Sequence, residues 1–440
     1  MQELRDKIEA RRAIIGVIGL GYVGLPVACM FAQAGFEVIG LEIKPDRVDM
    51  INAGRSPIQG DEPGLAELLA MVVQSGRLSA TTDYARLADA DVITINVETP
   101  VDRDHQPRYS ALRAACRGLG AVMKAGSLVI VESTLAPGTM DTLVQPLLEA
   151  TSGRQAGAGF HLGVCPERVM PGKLLANLRN MSRVCGGDTP ETAQVMIALY
   201  RSIVHAELDA TDMVTAELVK TTENAYRDVQ IAFANEVALI CEAIGADVWR
   251  VRELVNKSPY RQMHLPGTGV GGHCIPKDPW LLAAAAGGTV PLHIIPAARA
   301  VNDAMPLHVA DMTVQALAMA GVHSDQSRVA VLGYAYLENS DDTRGSPSIV
   351  LVARLRELGA DVVIHDPWVA AHQGELFERV AGCDAVVVMV GHQPYHTLDL
   401  DALRQTLRTS IIIDGRGFLD PERARDAGLT YVSLGRGEKK

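Results

Sequence analysis

The sequence predicts an α/β chain built as two doubly wound domains joined by a long central helix. Three observations carry this. Short apolar runs alternate with helix-length stretches from Ala13 to Ser202, and the alternation restarts at Arg328. Between the two regions, Asp212 to Ile244 contains neither Gly nor Pro. The first apolar run turns directly into Gly19-Leu20-Gly21-Tyr22-Val23-Gly24. Strands alternating with helices form βαβ units over a parallel sheet.

Length and charge bound the rest. The 440 residues correspond to roughly three domains at ~150 residues each, which we divide as 1–210, 211–320 and 321–440. Hydrophobic content of 48% and charge of 21% support a substantial core. A net charge of −11 argues against a general nucleic-acid binder. Met1 to Arg12 is charged, without the apolar core of a secretory signal, and no apolar run is long enough to span a bilayer. Seven scattered cysteines suggest a reducing cytoplasm, and no Cys/His cluster has zinc spacing, so no metal is expected.

In chain order, residues 1–12 read as a short charged helix or arm. Ala13 to Ile18 is a strand, a helix runs from about Val23 to Ala34, and Glu37 to Leu41 is a second strand ending at Glu42. This is the dinucleotide fingerprint in its strand–turn–helix–strand context, and it makes the first domain Rossmann-like. Gly19 permits the tight turn, Gly21 lets backbone N–H groups approach a pyrophosphate, and Gly24 lets the helix sit close to the strand. Tyr22 and Val23 complete the turn. Glu42 can accept from both ribose hydroxyls and would repel a 2′-phosphate, which favours NAD over NADP; Lys44 and Arg47 nearby weaken that preference.

Strands follow at Asp91 to Val97 and Ser127 to Glu132. Their ends carry Thr99 and Thr134, at the crevice side of a parallel sheet; the alternative is that both hydroxyls cap the next helices. Phe160 to Val164 leads into Cys165-Pro166-Glu167-Arg168, two charges between prolines, and Arg183 to Gly187 closes this half before a helix at Pro190 to Ser202. The long helix carries an apolar stripe of Val214, Leu218, Ala225, Val229, Phe233, Val237, Ile240 and Ile244. Its length suits tying domains together and pairing with a second subunit. Lys220 and Asn224 share one helical face.

The loop from Asn256, carrying Arg261, leads to Gly271-Gly272-His273-Cys274-Ile275-Pro276-Lys277-Asp278-Pro279-Trp280. A thiol behind two glycines and between prolines is better placed to react than to fill a core. Past Arg328 the strands are Arg328 to Leu332, Asp361 to His365, Ala385 to Val390, Ile411 to Asp414 and Thr430 to Leu434, with a helix at Ile349 to Leu358. This second Rossmann-like domain lacks a GxGxxG. Its first loop, Asp341-Asp342-Thr343-Arg344, places an arginine at a helix start, a position suited to phosphate. Gly435 to Lys440 reads as a disordered tail.

Together these motifs resemble the UDP-glucose/GDP-mannose dehydrogenase family over nearly the whole chain: Gly19 to Gly24, Ser133-Thr134, Pro166-Glu167, Lys220 with Asn224, the Gly-Gly-x-Cys segment with Asp278, and Asp341 to Pro347. The resemblance implies oxidation of a nucleotide-sugar CH₂OH to a carboxylate with two NAD⁺, for surface polysaccharide or glycan precursor synthesis. It implies an NAD-binding domain, a central dimerisation domain carrying the cysteine loop, and a UDP-sugar-binding domain in a homodimer or higher oligomer. Glu167 to Gly172 and Gly269 to Cys274 look like the UDP-N-acetylhexosamine branch, nearest the UDP-N-acetylmannosamine enzymes. Pro171 stands where the UDP-glucose branch has a second glutamate. Leu337 replaces a usual basic residue, Gly345 a common acid, and Glu98 fills the variable place of Val-x-Thr-Pro.

On this resemblance Cys274 is the nucleophile that captures the aldehyde as a thiohemiacetal and then carries a thioester. Lys220 and Asn224 stabilise oxyanions, Lys220 or its water assists the first deprotonation and its charge can lower the Cys274 pKa, Asp278 organises water or pairs with Lys220, and Thr134 holds that water. Glu167 is the candidate base for hydrolysis. Arg344 and Arg261 are candidates for the phosphates or the sugar, Arg168 and Gly271 belong to the sugar site, and His273 walls the acetamido pocket. Rival readings are the glucosamine or galactosamine epimer, UDP-glucose, a one-step dehydrogenase, and a non-catalytic nucleotide-sugar sensor.

Overall fold

The computed structural model describes residues 1–58, 60, 62–169 and 172–437. Met170 and Pro171, which bear on the choice of sugar, lie outside the described residues. Packing separates two compact units, Met1–Glu223 with Trp280–Val290, and Asn224–Pro279 with Pro291–Lys440.

The first unit is built on eight strands: β1 (Ile14–Ile18), β2 (Glu37–Leu41), β3 (Leu78–Thr81), β4 (Val92–Ile95), β5 (Leu128–Val131), β6 (His161–Val164), β7 (Arg183–Gly187) and β8 (Leu208–Asp212). Their order is β3-β2-β1-β4-β5-β6-β7-β8, and all neighbours are parallel except β6 with β7. Reversal of direction next to β1 is the doubly wound signature. β1 and β4 are buried on both faces, so they read as continuous apolar runs. The helix Gly24–Gln33 is apolar almost all round because the sheet and neighbouring helices cover it.

The second unit carries a five-stranded parallel sheet in the order β10-β9-β11-β12-β13, from β9 (Arg328–Leu332), β10 (Asp361–His365), β11 (Ala385–Val388), β12 (Ile411–Asp414) and β13 (Thr430–Ser433). The long helix Met213–Ile244 joins the two Rossmann-like domains. Among the described residues no helix is long and apolar enough to cross a membrane.

Four features depart from the sequence reading. β3 and β8 were not anticipated; both lie next to or at a sheet edge, where Leu-Ser-Ala-Thr and Leu-Asp-Ala-Thr-Asp need little apolar content. The helix Ile294–Met319, which runs through Pro306, was likewise not anticipated. Residues 435–437 of the tail are held in place: Gly435 N–H donates to Glu242 at 2.7 Å, Arg436 pairs with Asp247 at 3.3 Å, and Gly437 N–H donates to the Ala246 carbonyl at 2.9 Å, while residues 438–440 lie outside the described residues. The fourth concerns the long helix. Its buried face is small and polar, with Ala232, Ala234, Asn235, Ala238 and Cys241, while Phe233, Ile240 and Ile244 of the apolar stripe stay 62%, 51% and 72% exposed.

Candidate functional site

The glycine turn after β1 has the shape that its spacing requires. Gly19 has φ +90°, and a Cβ there would stand 2.7 Å from the Asn96 carbonyl oxygen. A Cβ on Gly24 would stand 2.0 Å from the Gly19 carbonyl oxygen, so helix and turn touch through backbone. Gly21 has nothing within 4 Å of a Cβ, leaving an open approach to the turn's backbone. Glu42, buried at the end of β2, accepts the Lys44 N–H at 3.2 Å. Arg47 bridges Glu42 at 3.5 Å to the Leu20 carbonyl at 2.8 Å, so its charge is used internally. Lys44 precedes the next helix and is exposed. The Tyr22 hydroxyl bonds to Glu62, which also accepts the Gly172 and Leu174 N–H groups. Val23 sits just before the helix opened by Gly24. An open glycine cradle at a helix N-terminus, followed by a buried strand-end carboxylate, fits NAD.

At the ends of β4 and β5 two threonines meet. The Thr99 hydroxyl donates to the Thr134 carbonyl at 2.7 Å. Glu217 on the long helix, buried and with its pKa pushed up to about 7 by desolvation, accepts the Gly138 and Met140 N–H groups and fixes the loop beyond Thr134. Glu167 follows β6, half-buried, and is electrostatically coupled to Arg183. Arg183 is itself buried beside Glu132 at 3.5 Å, and the Tyr200 hydroxyl donates to that glutamate at 2.6 Å. A small pocket is lined by Pro166, Arg168, Val184, Ala216, Val219, Lys220 and Glu223. Lys220 is only 8% exposed. Arg168 does not offer an open guanidinium: it is engaged by Glu223 and Ser182.

In the second unit, Cys274 is exposed, and the other six cysteines are buried. Its carbonyl accepts the Lys277 and Asp278 N–H groups, a turn that opens the helix Asp278–Ala285. Asp278 is fully buried; the Asn224 amide donates to it at 2.5 Å, and the lysine on it is its neighbour Lys277, 3.0 Å away. The two glycines before the cysteine approach protein rather than open space. Cβ atoms at Gly271 and Gly272 would stand 2.6 Å and 2.7 Å from Tyr336 side-chain atoms, and Gly272 has φ +87°. The Gly272 N–H donates to the Arg344 carbonyl at 3.0 Å. Gly345 lies against Gly272, with a Cβ meeting its carbonyl oxygen at 3.1 Å, so the position where an acid is common is here a close backbone approach.

Arg344 forks onto Asp342, with bonds of 2.6 to 3.1 Å, and its charge is coupled to Tyr336 and Cys274. Arg344 is thus one cation of this unit whose charge acts on the thiol. His273 is exposed, and its charge acts on Asp342. Arg261 is exposed and donates to the Pro259 carbonyl at 3.0 Å. Sequence reasoning gave no site role to Tyr336, Asp342, Lys277, Glu223 or Arg416, which the structure places around these loops. Arg416 stands at the carboxyl end of β12, the ligand side of a parallel sheet, with its guanidinium against Gly267 and 3.5 Å from Glu338. Only an arginine directly after a strand-ending Asp-Gly could have signalled it.

The nucleotide cradle, the exposed thiol and the second parallel sheet define an NAD-dependent nucleotide-sugar dehydrogenase. The chain belongs to the UDP-glucose/GDP-mannose dehydrogenase family: residues 13–204 match its NAD binding domain, 214–304 its central domain and 330–421 its UDP binding domain. It is 38% identical over 424 residues to the UDP-N-acetyl-D-mannosamine dehydrogenase of Pyrococcus horikoshii, covering 96% of this chain and 99% of that one. The solved structure of the P. horikoshii UDP-D-ManNAc dehydrogenase superposes with a TM-score of 0.91, over 97% of this chain and all of that one, at 38% identity. The NDP-N-acetyl-D-galactosaminuronic acid dehydrogenase of Ralstonia nicotianae is 39% identical, over 93% and 97% of the two chains.

Proposed function

We propose that this chain oxidises the C6 hydroxymethyl of a UDP-N-acetylhexosamine to the uronate, with UDP-N-acetyl-D-mannosamine the favoured substrate. The observation that carries the reading is Cys274, the exposed cysteine among seven, on a stiff glycine loop at a helix start and coupled to Arg344. Gly19, Gly21, Gly24, Glu42 and Thr99 hold NAD, which when bound supplies the hydride acceptor for both oxidations. Lys220, or a water it polarises, takes part in deprotonating the C6 hydroxyl. The Cys274 thiolate adds to the aldehyde carbon, and the thiohemiacetal is held until its oxidation to the thioester. Water cleaves the thioester with Glu167 as base, releasing carboxylate and thiol. Asn224, oriented by Asp278, donates to the oxyanion. The three parts 1–210, 211–320 and 321–440 then divide cofactor, cysteine loop and UDP-sugar binding, and we place the reaction in the cytoplasm.

The galactosamine epimer is the second reading, favoured by the 39% identity to the Ralstonia enzyme. NADH formed per mole of each UDP-sugar separates these. Two NADH from UDP-N-acetylmannosamine is the expected result. Two from the galactosamine epimer alone moves the substrate, and one NADH from any sugar would sink the covalent four-electron scheme.

We further propose a homodimer paired through the exposed face of the long helix. Tyr226, Phe233 and Ile240, 63%, 62% and 51% exposed, recur every seven residues. That spacing makes a seam a second helix can cover. Phe233→Asp with Ile240→Asp should shift the particle to monomer mass in light scattering at micromolar concentration. A parent protein that is already monomeric there would refute the pairing.

A further inference from the structure

Arg168 looks like a substrate ligand in sequence, but its guanidinium is a strut within the first unit. Its Nε donates to one Glu223 oxygen at 3.0 Å and its Nη2 to the other. Its Nη1 donates to the Ser182 carbonyl at 2.5 Å and hydroxyl at 2.9 Å. Glu223 lies on the long helix, one turn beyond Lys220, and Ser182 immediately precedes β7. A two-point fork between guanidinium and carboxylate fixes direction as well as distance, and it neutralises the charge that a phosphate would need. The same pocket wall holds Pro166, Arg168, Lys220 and Glu223.

We propose that Glu223 is a positioning residue for the oxidation: through the Arg168 fork it fixes the turn carrying Glu167 against the helical face that carries Lys220. The inference rests on the function proposed above. It assigns the sugar's contacts in this turn to its backbone and to Glu167, and removes the Arg168 side chain from phosphate binding. Free of the fork, the turn keeps its residues but loses their registry with Lys220. The loss then falls on the hexosamine end of the substrate and spares UDP.

The test compares Glu223→Ala, Arg168→Met, the double variant and Glu223→Gln with the parent. It reads KM and kcat for the UDP-sugar and the Kd of UDP alone. Each single change should lower kcat/KM by about 100-fold, shared between KM and kcat, because both break one fork. The double variant should be no more than about threefold worse than either single, the non-additivity of a shared contact. UDP should bind all variants within about twofold of the parent. Glu223→Gln, which keeps the shape and one acceptor, should recover about tenfold. It also guards against a folding defect in the alanine variant. Glu223→Ala with parental kcat and KM would overturn the proposal. So would Arg168→Met weakening UDP tenfold while Glu223→Ala does not, since Arg168 would then be a phosphate ligand. A parent that makes no NADH from any UDP-sugar is a different result: it removes the functional reading on which this one stands.

Discussion

Cys274→Ser is expected to stop uronate formation while leaving the UDP-sugar bound. A serine hydroxyl occupies nearly the same space but is not ionised near neutral pH, so it cannot hold the aldehyde for the second oxidation. Loss of a covalent nucleophile of this kind should lower the rate of uronate release by about 10³-fold or more. The thiol is exposed, so folding should be little changed, within about 0.5 kcal/mol. UDP-sugar affinity should stay within about threefold of the parent, because the change replaces a single side-chain atom of an exposed residue. Uronate, NADH and trapped aldehyde can be measured in one reaction. Uronate at a rate within tenfold of the parent would remove Cys274 from the mechanism. One NADH per sugar, with aldehyde captured by an added amine, would place the block at the second oxidation.

The second large effect is expected at the nucleotide turn, where two glycines that look alike in sequence should fail differently. At Gly24 an added methyl meets the Gly19 carbonyl oxygen at 2.0 Å and the Asn96 Cβ at 2.9 Å. The first of these is backbone, so helix and turn must separate; overpacking of this kind costs about 1–3 kcal/mol. Gly24→Ala should therefore lower both the unfolding temperature, by several degrees, and NAD affinity, by about 100-fold. At Gly21 the methyl meets nothing within 4 Å of protein. Gly21→Ala should leave the unfolding temperature alone and weaken NAD by a comparable factor, because the methyl would stand on the open face proposed for the pyrophosphate. Thermal unfolding and NAD titration on the two variants check this. A Gly24→Ala protein with parental NAD affinity would mean that the turn yields freely and that its contact is not what shapes the site.

The contrast between these glycines illustrates how much of the site could be read in advance. The spacing of Gly19, Gly21 and Gly24 between two strands carries its own geometry, because a turn that tight leaves few backbone solutions. The Gly271-Gly272 pair was less transparent. Its glycines accommodate Tyr336 and Gly345, which lie more than sixty residues away in the chain. The same limit applies to charges. Arg168 and Arg344 both looked available, and both are paired, with Glu223 and Asp342. Arg416 was not singled out at all.

Sequence by itself determined the α/β class, the two Rossmann-like domains, the long helix, the nucleotide turn and the position of Cys274. These depend on periodicity, on local backbone sterics and on contiguous motifs, all written within a few turns of chain. Only the tertiary structure decided the strands near and at the sheet edges, the helix that runs through Pro306, the ordered residues 435–437 and the partners of each charged side chain. Edge strands bury too little to leave an apolar signature. A proline in a buried helix is tolerated when packing outweighs its lost hydrogen bond. The partner of a charge is set by which distant element folding places within about 3 Å of it, and no local pattern records that.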